Sequence, residues 1–281
     1  MLNRLSSRLA VLIIASACGL AFASAWDDAP VFDEVAHIPA GYSYVVRHDN
    51  RLNPEHPPLV KDLAGLALLP LGLHQTAFET GSRTWGVNDE WDFGRILMFS
   101  SGNDADRILR AARLPMLAFL ALSAGLVHSL ARQLYGRLAA LIALCLFAFS
   151  PTVLAHGRLV TTDMAALAGV LLTTRCYLAF LERQRPAELL RAAAAFGIAQ
   201  VTKFSALLLI PYLLLLASFW ILVGQPSRHL FVRTVAIIVL GYAWLDAYTP
   251  ETVIGYSIFV WRFTPEQQSV GLEDRSGGWG H

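Results

Sequence analysis

Charged side chains are scarce in this sequence. Of its 281 residues only 15% are Asp, Glu, Lys or Arg, whereas 55% are hydrophobic. Soluble domains carry about 25% charged residues, so the composition excludes an ordinary soluble domain. Several apolar runs reach the roughly 20 residues that a helix needs to cross a bilayer. The sequence therefore predicts an all-α polytopic membrane protein, a bundle of about six to seven transmembrane helices.

Cysteine and an excess of one charge sign are also lacking. The three cysteines, Cys18, Cys145 and Cys176, all lie in apolar runs without metal-ligand spacing, so nothing indicates a disulfide framework. The formal net charge is only +1 and no basic run is present. These absences argue against a nucleic-acid partner and leave the lipid bilayer as the expected surroundings.

The N-terminus has two interpretations. Arg4 and Arg8 precede the apolar run 9–26, which predicts a first membrane helix with a cytoplasmic N-terminus. The same basic start, with small residues at 23–25, is also typical of a cleaved secretory signal. In both cases the residues that follow Trp26 lie outside the cytoplasm. We favour an uncleaved helix, because the polar segment that follows would use a membrane anchor beside it.

The rest of the chain divides by hydropathy and loop charge. Residues 27–110 are predicted to form a long extracytoplasmic loop, within which the apolar stretch 63–73 is too short to span and suits an interfacial helix. The transmembrane bundle is expected over residues 111–248 and an extracytoplasmic segment over 249–281. Predicted helices cover residues 111–130, 138–154, 163–181 and 234–248, with a hairpin over 192–223 that breaks at Thr202-Lys203. A basic turn is predicted between the second and third helices, and further basic residues follow the fourth helix. These connections are expected to lie in the cytoplasm.

The segment 33–61 concentrates most of the reactive side chains. It contains the adjacent acids Asp33 and Glu34, and the rigid element His56-Pro57-Pro58 that fixes an extended backbone. Carboxylates act as bases or hold cations, whereas Arg, His and Lys bind phosphate. A solvated loop would explain polar residues, but acids, bases and prolines crowded together favour a site. The other candidates in this segment are His37, Tyr42, Arg51, Asn53, Glu55 and Lys61.

Two further candidates lie far along the chain on the same predicted membrane face. Asp163 opens a helix, where an acid also simply favours the helix dipole. Lys203 interrupts an apolar run, and an ammonium between apolar helices marks a functional site by default. Snorkelling to the interface is the alternative for Lys203. Arg158, in the short turn before Asp163, is a candidate pocket residue.

These motifs resemble the GT-C glycosyltransferases, in the branch of the bacterial protein O-mannosyltransferases and lipid A aminoarabinose transferases. The resemblance rests on an acidic pair after the first helix, a Pro-Pro-Leu element in the first outer loop, an acid that opens the fourth helix and a Thr-Lys break in a later hairpin. It covers nearly the whole chain, and the first-loop motif is its most specific part. Two departures are His56, where aminoarabinose transferases carry a lysine, and the missing C-terminal helices with which such proteins continue.

The resemblance implies a membrane enzyme that uses a polyprenyl-phosphate-linked monosaccharide on the outer face of the bacterial inner membrane, with inversion at the anomeric carbon. Asp33 is then the base that activates an acceptor hydroxyl on a protein, lipid or glycan, with Glu34 and Asp163 as supporting acids. Arg51, His56, Lys61 and Lys203 are the expected ligands of the donor phosphate. His37, Tyr42, Asn53, Glu55 and Arg158 are expected to line the pocket.

No organic cofactor is expected, and dependence on a divalent cation stays open. No HExxH spacing is present, so a metal site would be assembled by folding, with Asp33, Glu34 and Asp163 holding Mg²⁺, Mn²⁺, Ca²⁺ or Zn²⁺. Two alternatives stay open at this point: a transporter or lipid-phosphate-binding membrane protein without transfer activity, and a truncated, inactive transferase. Carboxylates that lie far apart in the fold would favour the first of these.

Overall fold

The computed structural model describes residues 2–79, 83–223 and 229–246, and helices account for the regular structure of these residues. The helices are α1 (Leu2–Ser24), α2 (Phe32–Arg47), α3 (Leu59–Leu68), α4 (Thr76–Glu79), α5 (Arg83–Gly86), α6 (Glu90–Arg95), α7 (Ala105–Arg113), α8 (Met116–Ala148), α9 (Pro151–His156), α10 (Asp163–Arg183), α11 (Pro186–Gln200), α12 (Leu209–Leu222) and α13 (Leu230–Asp246). Shorter helical turns occur at Leu69–Leu71, Ile96–Ser100 and Phe204–Leu208. The described chain is an all-α protein, as predicted.

Within the residues that the structure describes, four helical stretches are long and apolar enough to cross a membrane. They are Leu5–Ser24, Ala105–Ala148, Asp163–Arg183 and Phe204–Leu222, and Leu230–Ala243 is a shorter apolar helix. Length and composition thus identify a multi-pass membrane protein. The predicted first, fourth and last membrane helices correspond to α1, α10 and α13.

The second and third predicted helices are the two arms of α8. The arms meet at Gly136, whose φ of 84° and ψ of −172° interrupt the helix. Ala124 in the first arm and Ala148 in the second lie at similar chain distances from Gly136 and share one apolar cluster with Ala17 of α1. The two arms therefore pack side by side and run in opposite directions. The basic turn predicted between the second and third helices is the bend of α8.

The helices α10 to α13 form the second half of the bundle. Their common core includes Tyr177, Phe180, Phe196 and Leu213, all fully buried. The predicted break in the hairpin is confirmed, because α11 ends at Gln200, Lys203 has an extended backbone, and a 3₁₀ turn leads into α12. The break lets a long apolar stretch reverse its direction rather than exceed the bilayer thickness.

The bundle has two chemically different ends. At the end that we call the basic end, arginines surround the bend of α8 and the connection between α10 and α11. These arginines are Arg132, Arg137, Arg183, Arg185 and Arg191. Side-chain hydrogen bonds from Gln133 to Glu182 and from Arg233 to Gln184 bring α8, α10 and α13 together there. The opposite end, which we call the polar end, holds the end of α1 and the starts of α8 and α10.

Helices α2 to α7 pack into a unit at the polar end with an apolar core of its own. Ile38, Leu52, Leu68, Phe93 and Met98 are fully buried in this core. The predicted interfacial helix at 63–73 is instead α3, Leu59–Leu68, followed by a 3₁₀ turn at Leu69–Leu71. Helix α2, in the segment 33–61, was not predicted at all, although its middle is buried on every side.

Two glycines let α2 and α3 approach closely. A Cβ on Gly41 of α2 would collide with the backbone of Lys61, and a Cβ on Gly65 of α3 would collide with the backbone of Gly41. The absence of side chains at these two positions sets the distance between the helices. This contact fixes where α3, and with it the loop between the two helices, lies against α2. The predicted segment 249–281 lies outside the described residues.

Candidate active site

Helix α2 begins at the polar end and presents its first two acids in opposite ways. Asp33, the second residue of the helix, is exposed, whereas Glu34 is fully buried. Both carboxylates lie in the first turn, where the helix dipole favours negative charge. One acid of the pair is thus available to a substrate and the other is held inside the protein.

The Glu34 carboxylate is saturated with hydrogen bonds. Its Oε1 accepts from Nε of Arg113 at 2.9 Å and from the N–H of Val160 at 3.0 Å. Its Oε2 accepts from Nη2 of Arg113 at 2.7 Å and from the N–H of Val31 at 3.1 Å. The prediction that Glu34 acts as a reactive acid or a metal ligand does not agree with this placement, because no lone pair is left for a substrate or an ion.

Arg113 uses all five of its N–H groups to join three parts of the chain. Besides its two bonds to Glu34, it donates to the carbonyls of Ala25, Asp28 and Ala29. Arg113 and Glu34 are both buried, so each charge is compensated only by these partners. The pair anchors the start of α2 to α7 and to the turn that leaves α1.

The turn before α10 packs directly against α2. The Val160 N–H binds Glu34, and its carbonyl lies 3.0 Å from Nδ1 of His37. Three residues further on, α10 begins at Asp163. Asp33 and Asp163 are therefore carried by two elements that are bonded to each other, although they are far apart in the sequence.

The loop between α2 and α3 brings His56 to the same place. The N–H of Leu59 donates to the carbonyl of Val201 at 3.3 Å, which ties the Pro-Pro-Leu element to the end of α11. The ring of His56 packs edge-on against His37, with 5.6 Å between ring centroids. Nδ1 of His56 is buried and has no hydrogen-bond partner among the described residues. Such an orphan nitrogen suits a ligand that would complete it.

Lys203 and Asp163 form an ion pair at this site. Their Nζ and Oδ1 atoms are 2.5 Å apart, and both side chains are partly exposed. Two residues that the sequence predicted separately are thus joined across the bundle. Among the described residues, N–H groups of Lys203 and one carboxylate oxygen of Asp163 have no other partner and can bind a substrate.

The electrostatics of the site keep its two histidines neutral. Burial, assisted by Lys61 and His56, lowers the pKa of His37 to about 4, although the hydrogen bond to Val160 and the charge of Asp33 act in the opposite direction. Burial also lowers the pKa of His56, assisted by Lys61 and Lys203, while Glu55 and Asp33 act in the opposite direction. At neutral pH each imidazole is therefore a neutral hydrogen-bonding group.

The structure thus brings together Asp33, His37, His56, Asp163 and Lys203, with exposed Glu55 beside His56. It does not bring all the predicted donor ligands there. Lys61 is fully buried, and its Nζ donates to Tyr44, Asn53 and the carbonyl of His56. Lys61 cannot reach a donor phosphate from this position, which corrects that prediction.

Four other predicted residues have structural partners. Tyr42 is buried against Phe78, and Asn53 is buried with its amide bound to Glu90. These two therefore do not line a pocket. The guanidinium of Arg51 pairs with Asp49 and lies over the Trp85 ring. Arg158 pairs with Asp28 and donates to the carbonyl of Ser24, although its Nε has no hydrogen-bond partner in the described part of the chain.

The side chains predicted to bind a divalent cation are not arranged as a metal site. Both oxygens of Glu34 are taken by Arg113 and backbone N–H groups, and Asp163 is paired with Lys203. Among residues 2–79, 83–223 and 229–246, no three His, Cys, Asp or Glu side chains come together as a metal site.

Arg113 is a functional residue of this region that could not be recognised from the sequence, where it is one more arginine beside an apolar run. A second overlooked signal is that Lys61 and Lys203 are the only lysines among 22 basic residues. Lysine carries a compact charge and changes its pKa readily, whereas arginine does neither. The two positions at which this chain uses lysine both lie at the polar end.

Comparison with known families matches the sequence model of the dolichyl-phosphate-mannose-protein mannosyltransferase family to residues 106–245, about half of the chain. The chain belongs to the GT-C glycosyltransferases. The matched part of this glycosyltransferase runs from α7 to α13 and contains Arg113, Asp163 and Lys203. No curated protein and no solved structure matches the chain. The unit that carries Asp33 and His56 lies almost wholly outside the matched residues.

Proposed function

We propose that this glycosyltransferase moves a monosaccharide from a polyprenyl-phosphate donor to an acceptor hydroxyl, with Asp33 as the general base. One observation carries the proposal: the exposed carboxylate of Asp33 and the ammonium of Lys203 both act electrostatically on His56, whose buried Nδ1 has no hydrogen-bond partner among the described residues. Base and phosphate ligands are the two groups that the reaction requires. A protein that only binds a lipid phosphate does not require a base beside these ligands.

The chemistry assigns each group one task. Asp33 takes the proton of the acceptor hydroxyl, whose oxygen attacks the anomeric carbon from the face opposite the phosphate. The bond from the anomeric carbon to the phosphate oxygen breaks, its electron pair stays on the phosphate, and a new glycosidic bond forms with inversion. The products are the glycosylated acceptor and free polyprenyl phosphate.

The leaving phosphate gains negative charge as its bond to the sugar breaks. The ammonium of Lys203 and the imidazole of His56 are the side chains that stabilise it. His56 is neutral at neutral pH, because burial and two nearby ammonium groups lower its pKa. It therefore binds the phosphate by donating one hydrogen bond, and the approaching negative charge strengthens that bond.

The polyprenyl tail needs an apolar surface next to this phosphate site. Leu66 and Leu69, at the end of α3 and just beyond it, are large apolar side chains with half of their surface exposed. An apolar chain that lies against them would be removed from water at no polar cost. We assign this edge of α3 to the first isoprene units of the donor.

In the proposed orientation the protein lies in a bacterial inner membrane, with its polar end on the extracytoplasmic side. Arginines gather at the opposite end of the bundle, as is usual for cytoplasmic connections. Helix α1 starts at that basic end and delivers Ser24 to the polar end. The donor sugar and the acceptor, a protein, lipid or glycan, would then meet on the extracytoplasmic face.

The test is a transfer assay with the protein reconstituted in liposomes. Several polyprenyl-phosphate monosaccharides are offered with peptide, lipid and glycan acceptors, and free polyprenyl phosphate is quantified. We expect acceptor-dependent release with one donor and an inverted anomeric configuration in the product. Release with retention of configuration, or no release with any donor from folded protein, would overturn the proposal.

A further inference from the structure

The loop that carries His56 is folded around a buried ammonium. Lys61 is 0% exposed, and its Nζ donates to the carbonyl of Asn53 at 2.5 Å and to the carbonyl of His56 at 2.7 Å. It also lies 2.9 Å from the Tyr44 hydroxyl and 3.2 Å from Oδ1 of Asn53. Four oxygens thus converge on one nitrogen, and two of them are the first and last carbonyls of the turn 53–56.

The carbonyls of the turn depend on that nitrogen for hydrogen bonds. Asn53 adopts the left-handed region, with φ of 48°, and two prolines follow at 57 and 58. The backbone of the turn points these two carbonyls at the buried nitrogen, so they take their hydrogen bonds from inside the protein. Removal of the ammonium would leave the His56 carbonyl without a partner among the described residues and the Asn53 carbonyl with only the 3.3 Å bond from the Tyr44 hydroxyl, and an unsatisfied acceptor costs more than its hydrogen bond contributes.

We propose that Lys61 is a positioning residue, whose ammonium holds the turn 53–56 closed and thereby fixes His56 beside the donor phosphate. What His56 binds rests on the proposed function, whereas the closure of the turn does not. Lys61 acts only through His56, since its own nitrogen is enclosed by protein. A compact ammonium suits four converging oxygens, whereas the planar guanidinium used elsewhere in this chain does not.

The charge of this ammonium depends on pH in the physiological range. Burial lowers the pKa of Lys61 to about 7, although neighbouring carboxylates oppose the change. The ionisable groups that surround it are Asp62 on its own helix, Tyr44 and His37 on α2, Glu90 on α6, and Glu55 and His56 on the turn. At a pH below this pKa the charged ammonium binds the carbonyls of the turn. At a pH above it the neutral amine has one N–H donor fewer and no charge, so it binds them more weakly.

The first test follows the turn itself, by hydrogen exchange of the peptide that covers residues 48–58. Lys61→Met should make these amides exchange about tenfold faster, because charge-assisted hydrogen bonds are lost, while α10 and α12 keep wild-type rates. Lys61→Arg should restore part of the protection. Leu114→Met, an exposed position just after α7, is the control. Unchanged exchange in Lys61→Met would overturn the proposal.

The second test asks whether Lys61 acts through His56. Lys61→Met should raise the donor KM about tenfold in the wild-type background. In the His56→Gln background the same change should have little further effect, because the imidazole that Lys61 is proposed to position is already absent. Equal effects of Lys61→Met in both backgrounds would overturn the positioning role. If Lys61→Met does not fold, Lys61→Arg, which keeps the charge but not the compact ammonium, should raise the donor KM by a smaller factor.

The third test measures the titration directly. Protein labelled with ¹⁵N-lysine has only two side-chain signals, from Lys61 and Lys203, and Lys61→Met assigns them. The Lys61 signal should titrate near neutral pH, and the donor KM should rise as pH increases through that value. A Lys61 signal that stays charged up to pH 9 would contradict the pH dependence.

These tests separate two failures. If no donor releases polyprenyl phosphate, the proposed function fails, and hydrogen exchange still decides whether Lys61 closes the turn. If wild type is active while exchange and KM are unaffected by Lys61→Met, the positioning role fails and the proposed function stands.

Discussion

Glu34 and Arg113, which are 79 residues apart in the chain, form a buried ion pair through two hydrogen bonds of 2.7 and 2.9 Å. The remaining N–H groups of Arg113 bind the carbonyls of the turn that leaves α1. The exposed Asp33 is the immediate neighbour of Glu34. The pair therefore sets where the proposed base stands relative to the membrane bundle.

Breaking this pair should destabilise the protein strongly. Glu34→Leu or Arg113→Leu leaves one buried charge without a partner, which costs about 3–5 kcal/mol of unfolding free energy. The double variant should cost less than the sum, because both charges are gone. Asp27→Asn, which breaks the exposed pair with Arg110, is the control and should cost at most about 1 kcal/mol. Denaturation in detergent measures all four, and single variants as stable as the control would contradict the assignment.

The glycine contact between α2 and α3 makes a second prediction. Gly41→Ala should destabilise by about 1–3 kcal/mol, because the new methyl group meets the backbone of Lys61 and the helices must separate. Gly125→Ala in α8 adds the same methyl group where no atom lies within 4 Å. The control variant should keep wild-type stability. Equal stability of the two variants would show that the helices are not in close contact at Gly41.

The membrane helices could be predicted because each must be long and apolar enough to cross the bilayer, and because charged residues mark the connections between them. Both signals can be recognised within a short stretch of sequence. The hairpin break at Lys203 is a clear case, since a single charge in an apolar run of excess length has few solutions. Helix α2 could not be predicted in the same way. Polar and apolar residues are buried together along its length, because α3, α6 and the turn before α10 cover it from several sides.

The candidate site was predictable in its residue types but not in their division of labour. The adjacent acids Asp33 and Glu34 cannot be distinguished in the sequence. Glu34 has a structural role only because the distant Arg113 pairs with it in the fold. Lys61 and Lys203 likewise read alike as phosphate ligands. Packing against Tyr44 and the turn 53–56 encloses the first, whereas the second stays at the surface of the site.

His37 should contribute a pH dependence to stability. Its pKa is about 4 in the folded protein, well below its ordinary value of 6.5, so between these values only the unfolded chain binds the proton. The free energy of unfolding therefore falls as pH decreases through this window, by up to about 1.4 kcal/mol per pH unit.

His37→Asn tests this assignment, since an amide can donate to the Val160 carbonyl without titrating. The stability of wild type relative to this variant should decline from pH 6.5 to pH 4. Burial raises the pKa of Asp62 to about 6, which has the opposite sign but is common to both proteins and cancels. A constant difference over this range would mean that His37 does not titrate as assigned.

Lys203 should matter for the donor beyond its ion pair. Lys203→Met removes the ammonium, whereas Asp163→Asn breaks the pair and leaves the ammonium in place. If Lys203 binds the donor phosphate, the first variant should raise the donor KM about tenfold to a hundredfold, and the second much less. Equal losses in the two variants would indicate that the ion pair is only structural.

The most direct test of the central claim compares Asp33→Asn with Asp106→Asn. Both residues are exposed aspartates at the second position of a helix, α2 and α7, so both variants lose the same interaction with the helix dipole. The measurement is the rate of polyprenyl phosphate release in liposomes under saturating donor and acceptor. A rate that falls by about 10²-fold or more in Asp33→Asn and stays at the wild-type value in Asp106→Asn is the predicted result. Wild-type turnover in Asp33→Asn would contradict the assignment of Asp33 as the base.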